Sequence, residues 1–319
     1  MFRGFERERI ATDAAADPFG VAILTGPMPA PPKDAVSQLA TVVSSRPCGS
    51  DAVVLRLAPE RPFEPLRASR FFMLRREDGT APLIPRPYSV YRQGGGASSS
   101  TGEAPWVEFL IKVMGRGSRA LEAAPIGSQL RLIGPLGNGW PVLDGDGAPW
   151  VMLAGGVGSA PFPMAIEQAL RGMDGGAAVA SRDLHFLFGA RDRGLLYDLE
   201  LFERLGVNVH TATVDGSHGM QGHVLQLLDA LQAAGSIPKQ IRVLACGPDP
   251  MLEAVHARAI EEEWDCWLSL ETLMGCGVGI CNGCPVPTRE GGALAGWPNA
   301  KCCVEGPVFA ARDIELVGH

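Results

Sequence analysis

Five of the chain's eight cysteines fall between positions 276 and 303, and their spacing constrains the fold more than any other feature. Cys276-Gly-Val-Gly-Ile-Cys281-Asn-Gly-Cys284, with a further thiol about eighteen residues on, has the C-x4-C-x2-C…C pattern of plant-type ferredoxin sites, which hold a [2Fe–2S] cluster. Glycines at 277, 279 and 283 allow the backbone to wrap closely and aim its N–H groups at sulfur. A structural zinc ion also takes four thiolates, and free buried cysteines are the plainest alternative, but neither accounts for the glycines as well. Side chains of adjacent residues diverge, so only one of Cys302 and Cys303 is expected to reach iron, and spacing alone accepts either.

Charge and hydropathy along the rest of the chain exclude several broad classes. Net charge is −7 with no Lys/Arg-rich run, so the basic footprint of a nucleic-acid binder is missing. Residues Met1–Ile10 lack the apolar core of a secretory signal, and Gly, Pro or charge breaks every apolar run before it reaches membrane-spanning length. A soluble, cytoplasmic protein is expected, without a membrane or nucleic-acid partner. In that reducing compartment eight cysteines do not read as a disulfide framework.

At 319 residues, 46% of them apolar, the chain has material for several domains. Residues 1–36, rich in Ala, Pro and charge, read as an N-terminal extension, a mobile tail or short capping segment. Residues 37–141 show short alternating apolar runs, such as Val107, Phe109, Ile111 and Val113, broken by Pro and Gly. That pattern predicts a β-barrel or sandwich, with Gly94–Gly102 as a flexible hairpin tip. From 142 to 265 the texture becomes alternating β/α, with strands expected at Val151–Ala154, Leu184–Phe188, Val207–Thr213 and Ile241–Ala245, and another at Cys266–Leu270. Residues 266–319 form the cluster domain, whose Gly-, Pro- and Cys-rich part from about 271 is too irregular to fold around apolar residues alone. The expected class is multidomain β plus α/β: a β-barrel, a parallel-sheet α/β domain and a small C-terminal [2Fe–2S] domain.

Two motifs in the β region suit a flavin. Arg86-Pro-Tyr-Ser89 offers a guanidinium for phosphate, an aromatic ring for an isoalloxazine face and a hydroxyl for a ring atom, although such a tetrapeptide alone also describes an ordinary strand. Gly115-Arg-Gly-Ser118 offers backbone N–H groups and a hydroxyl suited to a pyrophosphate. Together they favour a dinucleotide flavin, FAD.

Two further motifs suit a nicotinamide dinucleotide. Leu153-Ala-Gly-Gly-Val-Gly-Ser-Ala-Pro161 joins the first β/α strand to its helix, and Gly155, Gly156 and Gly158 would admit a pyrophosphate, though a tight structural turn reads the same way. Cys246-Gly247-Pro248, opening Cys246–Met251, follows a later strand and falls at the carboxyl edge of the same sheet, where α/β domains bind ligands. Arg191 and Arg193 favour a ribose phosphate while Asp192 opposes it, so NADH and NADPH both stay open. The six histidines form no triad-like or metal-like group, which suits a protein whose cofactors carry the reaction.

These motifs, with Gly134-Pro-Leu-Gly-Asn-Gly-Trp140 and Gly306-Pro-Val-Phe309, resemble the electron-transfer subunits of bacterial dihydroorotate dehydrogenase, in the ferredoxin–NADP reductase superfamily, over about residues 37–319. The resemblance implies FAD contacts from Arg86, Pro87, Tyr88 and Ser89, from Ile111, Lys112 and Val113, and from Gly117, Ser118 and Arg119. It implies Cys276, Cys281, Cys284 and Cys303 as iron ligands, because in the family the last cysteine stands three residues before the Gly of Gly-Pro-Val-Phe. It also implies NAD(H) as the redox partner, a catalytic dihydroorotate dehydrogenase subunit in a hetero-oligomer, and a place in pyrimidine synthesis. A related reductase serving ferredoxin, a hydrogenase or an oxygenase would share the same site chemistry. The chain departs from the family pattern in its N-terminal extension, in Trp140 where Phe is usual, in the doubled Cys302–Cys303 and in a longer stretch from Pro285 to Ala300.

Overall fold

The computed structural model describes residues 32–77, 83–96, 102–173, 176–296 and 298–316. Residues 1–31 of the expected extension and 97–101 of the expected Gly/Ser hairpin tip lie outside the described residues.

The first half folds as an antiparallel half-barrel. Its strands are β1 (Val36–Cys48), β2 (Ala52–Pro59), β3 (Phe71–Arg76), β4 (Arg86–Ser89), β5 (Arg92–Gly94), β6 (Trp106–Lys112) and β7 (Gln129–Leu136), in the order β4-β3-β7-β1-β2-β6-β5. Register shifts between Val42 and Ser44 in β1, and between Phe71 and Met73 in β3, bend the sheet, as bulges do. Helix α1 (Arg116–Glu122) follows β6 and turns Leu121 into the core. The extension ends earlier than residue 36: Val36 already pairs with Gly134, and Asp34 receives Arg70 at 2.6 Å.

The second half is a mostly parallel sheet. Strands β8 (Trp150–Gly155), β9 (Leu184–Ala190), β10 (Asn208–Thr213), β11 (Met220–Gln221), β12 (Arg242–Cys246) and β13 (Asp265–Ser269) alternate with α2 (Phe162–Arg171), α3 (Leu199–Arg204), α4 (Val224–Ala233) and α5 (Asp249–Glu261). β8 is buried along its whole length, as a central parallel strand covered on both faces must be. The order is β11-β10-β9-β8-β12-β13-β16, where β16 (Val308–Ala310) adds an antiparallel edge after the cysteine segment. The division expected at 265/266 therefore falls inside β13, whose residues Cys266 and Leu268 pair with β12 and are buried.

Beyond β13, β14 (Pro285–Pro287) and β15 (Asn299–Lys301) pair as a small hairpin. This segment does have an apolar core, contrary to the expectation. Val286, Ala300, Cys302, Cys303 and Phe309 join one buried cluster with Phe71, Met73 and Leu136 of the barrel and with the parallel sheet. An irregular segment can be held this way because two finished sheets supply the surfaces it lacks.

Polar contacts fix the two halves against each other. Ser69 and Ser269 share a buried 2.9 Å hydrogen bond, and Gln168 bonds the Leu66 carbonyl at 2.7 Å and the Ala68 N–H at 3.1 Å. Asp198 accepts from Tyr91 at 2.7 Å and from both terminal nitrogens of Arg46. Trp140 stacks on Phe162 at 5.7 Å, inside a core that runs from the barrel into the parallel sheet. Among the described residues no helix is long and apolar enough to cross a membrane.

Candidate functional site

The cysteine loop lies against the barrel. Gly277 has φ +71°, and a Cβ there would stand 2.5 Å from Cγ of Met73, so left-handed backbone and close packing both require glycine. The sulfur of Cys276 accepts from the N–H groups of Val278 and Cys281, both at 3.4 Å. Burial opposes its ionisation, yet these N–H groups bring the thiol down to about 7.

Cys284 and Cys303 face each other with sulfurs 3.3 Å apart, both buried. The hydrogen bond between the two sulfurs lowers Cys284 to about 6 and raises Cys303. Cys302 turns the opposite way, its thiol on the Leu270 carbonyl at 3.5 Å, and burial pushes it up to about 12. Cys281 is exposed at the rim of the loop.

Among the described residues no group of three or more His, Cys, Asp or Glu side chains closes to metal-holding distance. The donor chemistry nevertheless fits a four-thiolate cluster: two thiols are poised towards thiolate, and backbone N–H groups point at sulfur. All eight cysteines are free.

The two flavin motifs meet. Arg86 in β4 packs on Gly117 in α1 so closely that a Cβ on Gly117 would lie 2.5 Å from the guanidinium Nε. Pro87 and Tyr88 pair with Met73 and Phe72 of β3, and Ser89 with Phe71. Burial raises the Tyr88 phenol to about 12. The Ser118 hydroxyl, expected to be available to a phosphate, is engaged in the turn instead, accepting from the N–H groups of Met114 at 2.9 Å and Gly115 at 3.1 Å. Ile111 is buried in the barrel core, Lys112 lies 3.7 Å from Asp51, the Val113 N–H is bonded to the Asp51 carbonyl, and Arg119 is exposed.

The two nicotinamide motifs also meet, at the carboxyl ends of neighbouring strands β8 and β12. Connections leave this pair in opposite directions, which makes it the topological switch point of the sheet. A Cβ on Gly158 would overlap the Cys246 carbonyl, and one on Gly155 would lie 2.7 Å from Pro248. Both glycines, with Gly247 against Met251, are thus needed for motif-to-motif packing. Gly156 differs: it has φ +53° and open space where its side chain would be, which leaves a bare backbone face for a ligand. A 3-10 turn over Gly156–Ser159 separates the glycines from α2. Arg191 pairs with Asp192, whose carboxylate also accepts the Gly194 N–H.

Sequence reasoning passed over two residues here. Glu271 is accessible to solvent, yet protein surrounds it enough that burial, then Asp249, raises its carboxyl. Its charge adds to burial in raising both the Tyr88 phenol and the Cys246 thiol, one from the flavin motif and one from the nicotinamide motif. Lys301 donates from Nζ to the Gly279 carbonyl at 2.9 Å, inside the Cys276–Cys281 loop. Neither belongs to a motif, and only the fold brings them in.

Comparison with known proteins agrees with this geometry. Residues 271–315 match the family described as the iron-sulfur cluster binding domain of dihydroorotate dehydrogenase B, and residues 152–257 match the oxidoreductase NAD-binding domain. The chain is 30% identical over 247 residues to the dihydroorotate dehydrogenase B (NAD(+)) electron transfer subunit of Bacillus cereus (strain G9842), covering 77% of this chain and 86% of that one. It is 29% identical over 277 residues to the subunit of the same name from Shouchella clausii (strain KSM-K16), covering 86% and 97%. In fold it is similar to an NADH-dependent reduced ferredoxin-NADP oxidoreductase, with TM-score 0.69, 22% identity, and coverage of 87% of this chain and 90% of that one. The cytochrome b5 reductase domain of Ulva prolifera nitrate reductase matches with TM-score 0.54 and 16% identity, over 72% and 94%.

Proposed function

The chain belongs to the family of dihydroorotate dehydrogenase B electron transfer subunits, and from that premise we propose that it carries electrons between NAD(H) and a catalytic dihydroorotate-oxidising subunit. In this reading FAD lies on the barrel, NAD on the parallel sheet, and a [2Fe–2S] cluster on Cys276, Cys281, Cys284 and Cys303. The observation that carries it is convergence: Gly277 of the cysteine loop packs on Met73, the strand partner of Pro87, and Cys246 pairs with Ser269 at the entry to the cysteine segment.

When bound, a flavin exchanges electrons in pairs or singly and an iron–sulfur cluster carries them one at a time, which is the chemistry such a relay needs. The chain's own residues hold and order these groups. Arg86, fixed against Gly117, presents a cation for a flavin phosphate, and Tyr88 and Ser89 line the same strand. Gly156 offers an open backbone face beside Cys246-Gly247-Pro248 for the nicotinamide dinucleotide. The N–H groups of Val278 and Cys281 stabilise negative charge on Cys276, and the orientation of Cys303 towards Cys284 supports it over Cys302 as the fourth ligand. The barrel spans about 34–141 and the nicotinamide sheet runs from 142 through β13, with the cluster segment after it. A cytoplasmic location agrees with eight unpaired thiols.

The test is to purify the protein anaerobically with and without a dihydroorotate-oxidising partner, measure flavin, iron and acid-labile sulfide, and follow orotate formation coupled to NAD+ reduction. Cofactor-replete protein that never supports this coupling, yet reduces another acceptor with NADH, would move the assignment to a reductase of different partner.

A further inference from the structure

Lys301 stands at the centre of the cysteine segment. Its ammonium donates to the Gly279 carbonyl at 2.9 Å, its N–H donates to the Glu305 carboxylate at 2.6 Å, and its carbonyl accepts from the N–H groups of Val304 and Glu305. In the β14–β15 hairpin it pairs with Pro285, the residue after Cys284, and the next residue's N–H bonds the Cys284 carbonyl at 2.9 Å. One residue thereby ties together the Cys276–Cys281 loop, the Cys284 strand and the turn that carries Cys303.

The Gly279–Ile280 peptide gives this arrangement an electrostatic meaning. Its carbonyl receives the ammonium, inside the loop whose Val278 and Cys281 N–H groups bond the sulfur of Cys276 at 3.4 Å. An ammonium held inside this loop adds its positive charge to that of the N–H groups facing the thiolate. Lys301 is half-buried, so water screens this charge only in part.

We propose that Lys301 is a positioning residue that closes the cysteine loop and, through its charge on the Gly279 carbonyl, sets how readily the cluster accepts its electron. The inference rests on the reading that the four cysteines hold an iron–sulfur cluster. Reduction adds one negative charge, so a fixed cation in the ligand loop favours the reduced state and raises the potential.

The test uses full-length protein prepared anaerobically as Lys301→Met, Lys301→Gln and Lys301→Arg. Iron and sulfide content is measured alongside a redox titration followed by the EPR signal of the reduced cluster. At a fixed poise the reduced-to-oxidised ratio should fall about tenfold in the neutral variants, which is about 59 mV for a one-electron couple, and change little in Lys301→Arg. Loss of iron from both neutral variants with normal loading of Lys301→Arg also supports the proposal, since the charge then holds the loop. Neutral variants with full iron and an unshifted titration overturn it. So does an arginine variant that behaves like the neutral ones. Wild-type protein without iron and sulfide would instead remove the cluster reading on which the proposal stands.

Discussion

The sulfur of Cys303 lies 3.3 Å from that of Cys284, while the thiol of its neighbour Cys302 points to the Leu270 carbonyl. Two adjacent cysteines with opposite orientations should respond differently to the same change. Cys303→Ser should lower the iron content and the EPR signal of the reduced cluster by roughly tenfold or more. Cys302→Ser keeps a donor for Leu270 and should retain the cluster, at a cost in stability of about 1 kcal/mol. Iron analysis and EPR on the two variants side by side check this, and the reverse pattern would show that Cys302 is the ligand.

Gly158→Ala should separate two strand ends. The added methyl overlaps the Cys246 carbonyl, which is backbone and cannot rotate away. Overpacking of this kind costs about 1–3 kcal/mol and should lower the melting temperature. The shift also displaces the Cys246-Gly247-Pro248 turn, so the KM for NADH in a dye-reduction assay should rise. Gly156→Ala meets no neighbour and should cost about 1–2 kcal/mol, from its left-handed backbone alone.

Arg86→Ala should weaken flavin retention. A charge-assisted hydrogen bond contributes about 1.5–3 kcal/mol, equivalent to roughly a tenfold or greater rise in the dissociation constant. Gly117→Ala should act in the same direction without removing the cation, because its methyl displaces the guanidinium. Flavin absorbance after gel filtration of both variants is the measurement. Unchanged flavin content in both would separate the motif from flavin binding.

Asp198 should make part of the stability pH-dependent. Burial alone would raise its carboxyl, but Arg46 and Tyr91 donate to it and hold it below its ordinary value of 3.8. A folded value below the unfolded one gives stability that is complete above the unfolded value and lost as pH falls through the folded one. Wild-type protein should therefore lose more unfolding free energy between pH 6 and pH 3 than Asp198→Asn. Asparagine keeps the left-handed conformation of this residue, whose φ is +49°, yet leaves Arg46 without its partner. Because Arg46 is half exposed, the variant should lose about 1–3 kcal/mol at pH 7, read by denaturant unfolding.

Alternation such as Val107, Phe109 and Ile111 made the barrel legible, and apolar runs such as Val151–Ala154 made the parallel sheet so, because both periods are local. The cysteine spacing carried the cluster reading for the same reason. The division at 265/266 failed where locality ends: Cys266 lies in a strand pattern, and only its partner β12 decides which domain owns it. Glu271 and Lys301 are single residues whose meaning comes from chain distant in sequence, Tyr88 and Cys246 for one and Gly279 for the other. The Ser118 hydroxyl was read for its chemistry, but a turn three residues long had the nearer claim on it.

The edge strand β16 gives the molecule a modular character. Ser269 at the end of β13 pairs with Val308 at the start of β16, and the Leu270 N–H bonds the Pro307 carbonyl at 2.8 Å. The chain between them leaves the sheet and returns to the adjacent lane, so the whole iron-bearing excursion is a detour with knotted-off ends. Stripping the metal should loosen the detour while the road beneath keeps its course: iron-free protein retains the sheet, and with it a docking surface onto which the detour can be refitted.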